Sequence, residues 1–386
     1  MRIEPGTATP KPIERWPKGP LRAVHQVGAR VEVTWADATA ASMPLVWLRD
    51  NCPCHRCRVA STGERRYFIG LVDELPSASS CMLVDGKLSI AWSDSHQSEF
   101  ASTDLASLAA TAGRTHKPAR LWANGFAPAR FDHQVVLDEP GSRLAFYESL
   151  ICDGAVVVTN AGGHAGECAR FIEAIGAPVR ATPFDRVHDV DCRADGYNVA
   201  HTDEALPPHT DFASYQWPPS GQVLHMLTNE VGGGASVLVD GWQVLTTLRQ
   251  HHPGVIDVLA RVEVAFREHS ETAESWCRAP IVRLGPTGEI AGIRFSNQLM
   301  QPLDPTRPDV EAFYSAYHTL ARALLDPANR VTFRMENGDM LLVHGHRILH
   351  AREAYDSRSG ARHLQDTYFE FDDIAAAAAL LGREIP

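Results

Sequence analysis

Residues 200–215, AHTDEALPPHTDFASY, carry one tripeptide twice, as His201-Thr202-Asp203 and as His209-Thr210-Asp211. On an extended strand, residues two apart face the same side, so the imidazole and carboxylate of either copy can reach one ion. Alone, a His-x-Asp is most often a surface or capping element. Its weight changes with a histidine far along the chain, His350 in HRILHAREAY, followed shortly by Arg362 in ARHLQDTYFE. Two imidazoles and one carboxylate leave three coordination positions open, which suits a non-heme iron(II) that must also bind a cosubstrate and oxygen. A guanidinium beyond the third ligand can hold the distal carboxylate of a bound keto acid in a bidentate fork. Periodicity does not choose between the two tripeptides.

Around this stretch, apolar runs alternate with a few helical patterns. SRLAFYESLICD and ECARFIEAIG have helical spacing and bracket GAVVVTN, a buried strand candidate. WQVLTTLRQHHPGVIDVLA and DVEAFYSAYHTLARALLD read as further helices, and DDIAAAAALLG as a surface helix with Asp372 or Asp373 near its cap. Strands are expected in QVLHMLTN, ASVLVDG, PIVRLG, EIAGIRFSN, RVTFRM, DMLLVHG and HLQDTYFEF. Many short strands late in the chain, with helices before and between them, predict a jelly-roll double sheet (a double-stranded β-helix) with a helical buttress.

Residues 21–100 read differently, as a small all-β module. AVHQVGARVEVTWAD, RRYFIGLVDE and CMLVDGKLSIAWSD are alternating and β-branched, and Asp85-Gly86 is a hairpin turn signal. The mixed stretch 101–135 reads as a connection, so the expected domains are 1–120 and 121–386. Within the first module, WLRDNCPCHRCR places Cys52, Cys54 and Cys57 in a C-x-C-x-x-C knuckle. Three thiolates this close can converge on a tetrahedral zinc, with His96 in WSDSHQSEF as the expected fourth ligand. A closed shell of four protein ligands makes such a site structural. Cys81, Cys152, Cys168, Cys192 and Cys277 are scattered and read as unpaired thiols.

The bulk numbers fit a soluble globular chain of 386 residues, 44% hydrophobic and 22% charged. A formal charge of −11 with no Lys/Arg block argues against a nucleic-acid partner. No apolar run is long enough to cross a membrane, and the polar, Pro-rich start does not read as a signal peptide. A cytoplasmic protein is the expectation.

These motifs together resemble the γ-butyrobetaine dioxygenase group of iron(II)/2-oxoglutarate oxygenases, which includes trimethyllysine hydroxylases. WLRDNCPCHRC and SDSHQSEF resemble that group's zinc module, and LPPHTD its first two iron ligands. GGGASVLVDGW and HRILHAREAYDSRSGARHLQDTY resemble later segments in the same order. The resemblance implies iron on His209, Asp211 and His350, leaving the earlier tripeptide outside the metal shell. It implies 2-oxoglutarate at Arg362, Leu224 and Ser236, oxygen as the second cosubstrate, and a homodimer. Its substrates are small trimethylammonium acids, as in carnitine biosynthesis. An aromatic cage would fall on Phe184, His188, His201 and Tyr368, and acid-binding amides on Asn198 and Asn297.

His188 and His201 stand where the group tends to carry larger aromatics. With Arg294 near Asn297, they leave a phosphonate analogue, hydroxylated on the carbon beside phosphorus, as the alternative substrate. Two readings from other classes stay open: a zinc hydrolase with a metal-bound water on the same triad, and a non-catalytic zinc-knuckle binding protein with a degenerate oxygenase domain.

Overall fold

The computed structural model describes residues 16–17, 19–112, 118–183, 185–191, 199–270 and 273–384. The chain divides into two compact units, Met1–Thr115 and His116–Pro386.

The first unit is built from two three-stranded antiparallel sheets, Leu21–Val27 with Arg30–Trp35 and Ala40–Pro44, and Ala78–Val84 with Lys87–Trp92 and Gln97–Phe100. Alternation explains both. Val31, Val33 and Trp35 point inward from one sheet, and Leu88, Ile90 and Trp92 from the other, all into one core. The second hairpin turns at Asp85 and Gly86, both at positive φ (48° and 75°), the conformation that a tight primed turn demands and that glycine adopts without strain. RRYFIGLVDE is not a strand. Its backbone is drawn onto the cysteine loop, where Arg66 and Tyr67 both donate to the Cys57 carbonyl, and Ile69–Leu71 closes a 3₁₀ turn. Local hydrogen bonds to the knuckle outweigh β propensity there.

The second unit is a double sheet with helices packed outside both sheets, matching the expected class. Strands Ala129–Asp132, Ala155–Thr159, Met340–His344, Gly221–Asn229, Arg362–Phe369 and His188–Asp191 form a six-stranded sheet in that order. Leu206–His209, Ile348–Arg352, Ser236–Asp240 and Arg330–Phe333 form a four-stranded one. Met226, Leu341, Val343 and Leu364 from the larger sheet meet Leu238, Val331 and Ile348 from the smaller in one buried cluster. The outer face of the larger sheet is covered by the helices Pro140–Asp153, Glu167–Ala174 and Phe371–Glu384, through Phe146, Leu150, Phe171 and Ile374. The 242–260 pattern is two helices, Gly241–His251 and Pro253–Arg261, because Pro253 cannot continue the first but suits the start of the second. Asp372 and Asp373 lie in the first turn of the last helix, as expected.

Candidate active site

The site is set by strand register. In the smaller sheet His209 and His350 are direct antiparallel partners, their ring centroids 4.3 Å apart. Asp211 follows as the strand ends, with Oδ1 3.2 Å from His209 Nε2 and 3.8 Å from His350 Nε2. One ligand atom from each of the three lies within 4.8 Å of the others. Two features turn Asp211 back toward the histidines. Thr210 points inward, its N–H on the Phe295 carbonyl at 2.7 Å and its hydroxyl oxygen accepting from Phe295 N at 3.0 Å. Phe212 then takes φ = 49°, a left-handed backbone that an aromatic residue adopts only under constraint.

The donors are prepared for a cation. His209 Nδ1–H donates to the Pro207 carbonyl at 2.9 Å, which leaves Nε2 as the lone-pair nitrogen. Burial, with the neighbouring His209, pushes His350 down to about 4, so its ring is neutral. Burial would raise the Asp211 carboxyl, but His350, His209 and the Tyr368 hydroxyl hold it far below the usual carboxylate range. Its second oxygen accepts from Gln222 Nε2 and from the Tyr368 hydroxyl, each at 2.6 Å. Two imidazoles, one carboxylate and an oriented outer shell fit iron(II).

On the strand Arg362–Phe369, alternate side chains Arg362, Leu364, Asp366 and Tyr368 share one face. Tyr368 and Asp366 stand at the His209–Asp211 end and Arg362 at the other. Arg362 is half-buried over the Tyr355 ring, 5.2 Å from its centroid, and desolvation with the nearby Arg352 brings it down to about 10. Its Nε is buried without a hydrogen-bond partner. An orphaned donor on a desolvated guanidinium fits the carboxylate of a dicarboxylic keto acid. Leu224 lies on the same face of its strand as Gln222 and packs on the cluster between the sheets. Ser236 is the cross-strand partner of Arg352.

A cavity of about 420 Å³ opens on His209 and Asp211. His188, His201 and Tyr368, three of the residues named for the cage, line it, while Phe184 and Asn198 lie outside the described residues. His188 is an acid's partner rather than a bare cage wall. Its Nδ1 is 2.8 Å from Asp366 Oδ1, which raises its pKa against the opposing effect of burial. Two expected residues are elsewhere. Arg294 lines a separate, smaller cavity with Trp217 and His346, and its guanidinium donates to the carbonyls of Ala213, Tyr215 and Gln216. Those carbonyls satisfy it, so it is a strand-end clamp and does not face the cavity with His209. Asn297 is exposed and accepts from the Tyr317 hydroxyl at 2.9 Å, while its neighbours Ser296 and Gln298 face the cavity.

The duplicated tripeptide has separate duties. Asp203 accepts from the Ser357 hydroxyl at 2.7 Å and takes Tyr355 N–H on its carbonyl, and His201 lines the cavity. Arg352, two residues after His350, fixes this segment by donating to the carbonyls of Ala200, Thr202 and Glu204. Sequence reasoning missed Gln222, Asp366 and Glu268. Asp366 was open to discovery as the residue between Arg362 and Tyr368 on their shared face; Glu268 gave no signal.

In the first unit, Cys52, Cys54 and Cys57 Sγ lie 3.3, 3.6 and 3.5 Å from His96 Nε2. A tetrahedral zinc with Zn–S about 2.3 Å and Zn–N about 2.0 Å separates S from N by about 3.5 Å, so the four donors are spaced for it. Arg49 donates to Cys57 Sγ and is held by Asp94, whose other oxygen accepts from His96 N. The cluster is consistent with a structural zinc.

Facing sheets, a His-Asp-His cluster at the mouth of a cavity and a half-buried arginine along the same wall describe a non-heme oxygenase that works with a keto acid. Comparison with known proteins agrees. Residues 118–368 match the family model described as taurine catabolism dioxygenase TauD, TfdA family, and residues 22–106 match the gamma-butyrobetaine hydroxylase-like N-terminal model. The gamma-butyrobetaine dioxygenase of Pseudomonas sp. (strain AK-1) is 30% identical over 94% of this chain and 97% of its own. That of Homo sapiens is 26% identical over 92% and 95%. The mitochondrial trimethyllysine dioxygenase of Gallus gallus is 27% identical over 92% and 87%. The chain belongs to the TauD/TfdA family of Fe(II)/2-oxoglutarate-dependent dioxygenases and carries that family's γ-butyrobetaine-hydroxylase-like N-terminal domain.

Proposed function

We propose that the chain hydroxylates a small trimethylammonium acid of the γ-butyrobetaine kind, with iron(II) held by His209, Asp211 and His350 and 2-oxoglutarate anchored by Arg362. The observation that carries this reading is the cavity on His209 and Asp211, walled by Tyr368 and Phe212 and lined by the carboxylates of Asp189, Glu268 and Asp366. Aromatic faces and acids both favour a cation. The relatives named for γ-butyrobetaine and trimethyllysine act on such compounds and span nearly the whole chain. The phosphonate alternative needed Arg294 near the substrate, and that guanidinium is engaged by three carbonyls at a different cavity.

Bound iron(II) and 2-oxoglutarate supply the oxygen chemistry, in which the keto acid is oxidised to succinate and carbon dioxide while one oxygen atom enters a substrate C–H bond. The chain supplies position. His209 and His350, held by cross-strand pairing, would hold the ion together with Asp211, whose other oxygen Gln222 and Tyr368 fix. Arg362 orients the keto acid from its far carboxylate. Tyr368 borders both the metal ligand and the cavity, so it registers the substrate against the metal. Burial and the two neighbouring acids keep its phenol protonated, and it serves as a donor.

The test is succinate formation from 2-oxoglutarate in air with added iron, for a panel of trimethylammonium carboxylates and phosphonates. Carboxylates should stimulate it most. Absence of any oxygen-dependent succinate across the panel would sink this reading and favour a hydrolase or a binding protein.

A further inference from the structure

Glu268 lies on the strand Glu263–His269, whose inward positions Val264 and Phe266 belong to the apolar core. Period two makes Glu268 the next inward position. There the chain places a carboxylate, and the side chain lines the cavity that holds His209, Asp211 and Tyr368. It is not a surface acid: it is pushed up to about 7, mainly by burial and then by the charge of Asp211.

The arrangement around it is specific. The Ser214 hydroxyl donates to Glu268 Oε2 at 3.2 Å, and Ser214 is itself fully buried and 2.9 Å from the Ser275 hydroxyl. No Lys, Arg or His among the described residues forms an ion pair with Glu268. The other acids of the cavity are engaged. Asp366 faces His188 at 2.8 Å, Asp189 accepts from His363 and Gln365, and Asp211 belongs to the metal cluster. The adjacent Arg267 also lines the cavity, but its guanidinium is paired with Glu274 at 2.8 Å. Glu268 is therefore the cavity carboxylate without an ion pair at contact distance among the described residues, His188 and His209 acting on it only through space, and burying such a charge is costly unless a counter-charge arrives.

We propose that Glu268 is the specificity determinant for the substrate's cationic nitrogen, supplying the negative charge that a pocket with histidines in place of larger aromatics needs in order to select a cation. This rests on the trimethylammonium reading given above. A quaternary nitrogen donates no N–H, so the attraction is Coulombic, acting across its methyl groups. His188 adds no net charge, since the charge raised on its ring is matched by Asp366. Among the described residues, Tyr368 and Phe212 supply aromatic faces to the cavity.

The experiment compares γ-butyrobetaine with its carbon isostere 5,5-dimethylhexanoate, in which an uncharged tert-butyl group replaces the trimethylammonium, by anaerobic calorimetry on the full chain loaded with iron(II) and 2-oxoglutarate. Wild-type protein should prefer the cation by at least about tenfold, and Glu268→Gln should lose about tenfold to a hundredfold in affinity for the cation but under about threefold for the isostere. Glu268→Asp, which keeps the charge at shorter reach, should fall between. Ser214→Ala tests the same charge independently by loosening its support and should narrow the preference. Equal losses for both compounds, no preference in the wild type, or binding of neither compound overturns the assignment. The functional reading fails separately, through absent succinate formation, so turnover and charge preference can fail independently.

Discussion

Single residues carry the chemistry. Asp211 and Asp203 sit in identical tripeptides, yet only Asp211 shares a cluster with His209 and His350. Asp211→Ala should abolish iron binding and Asp203→Ala should retain it; metal analysis of the two purified variants decides, and the reverse pattern moves the site. Arg362→Ala should raise the 2-oxoglutarate requirement about a hundredfold, the scale of a lost bidentate charge-assisted pair of about 3 kcal/mol, read from steady-state succinate formation. Glu268 makes stability depend on pH. Its folded pKa of about 7 lies above the ordinary 4.5, so the folded state binds the proton more tightly, and stability present below 4.5 is lost as pH rises through 7. Glu268→Gln removes that dependence. In metal-free protein the variant should gain about 2–3 kcal/mol on wild type between pH 4.5 and pH 8, measured by denaturant titration. At this scale the sequence was legible where motif and chemistry coincide, as at His209, Asp211, His350 and the three cysteines. It was not legible at Arg294 and Asn297, because proximity along a strand end does not say which side of the sheet a side chain leaves by.

At the scale of elements, supports are shared between strands and helices. Asp240 ends the strand Ser236–Asp240 and caps the next helix by accepting from Trp242 N and Gln243 N. It also receives two guanidinium hydrogen bonds from Arg347, three residues before His350, and both side chains are almost wholly buried. Asp240→Ala leaves a buried guanidinium without its charge partner and a helix without its cap. It should cost about 3–5 kcal/mol in chemical unfolding, more than a surface ion pair would. Such a pair is invisible to periodicity, since both residues read as ordinary polar punctuation between apolar runs. The elements read correctly, such as 142–153 and 222–229, are long and strongly patterned; RRYFIGLVDE failed because its pattern was local while its hydrogen bonds were made to the cysteine loop.

For the whole molecule, the two units have separate centres. Cys54→Ser should lower zinc content and the melting temperature of the first unit and leave the anaerobic iron spectrum unchanged. Loss of the iron spectrum in that variant would mean the centres are not independent. No helix among the described residues is long and apolar enough to cross a membrane. The family and the double sheet were legible because the long motifs occur in one order along the chain, whereas the substrate depends on a handful of cavity residues drawn from distant segments.

The pairing of His209 with His350 has a consequence for how the enzyme matures. Two of the three donors meet only if the Leu206–His209 and Ile348–Arg352 strands align in one register. A slip by one residue would turn a histidine to the opposite face while leaving much of the hydrogen-bonded ladder available. An ion held by all three donors would favour one alignment over its neighbours, so metal added during refolding should raise the yield of correctly paired strands.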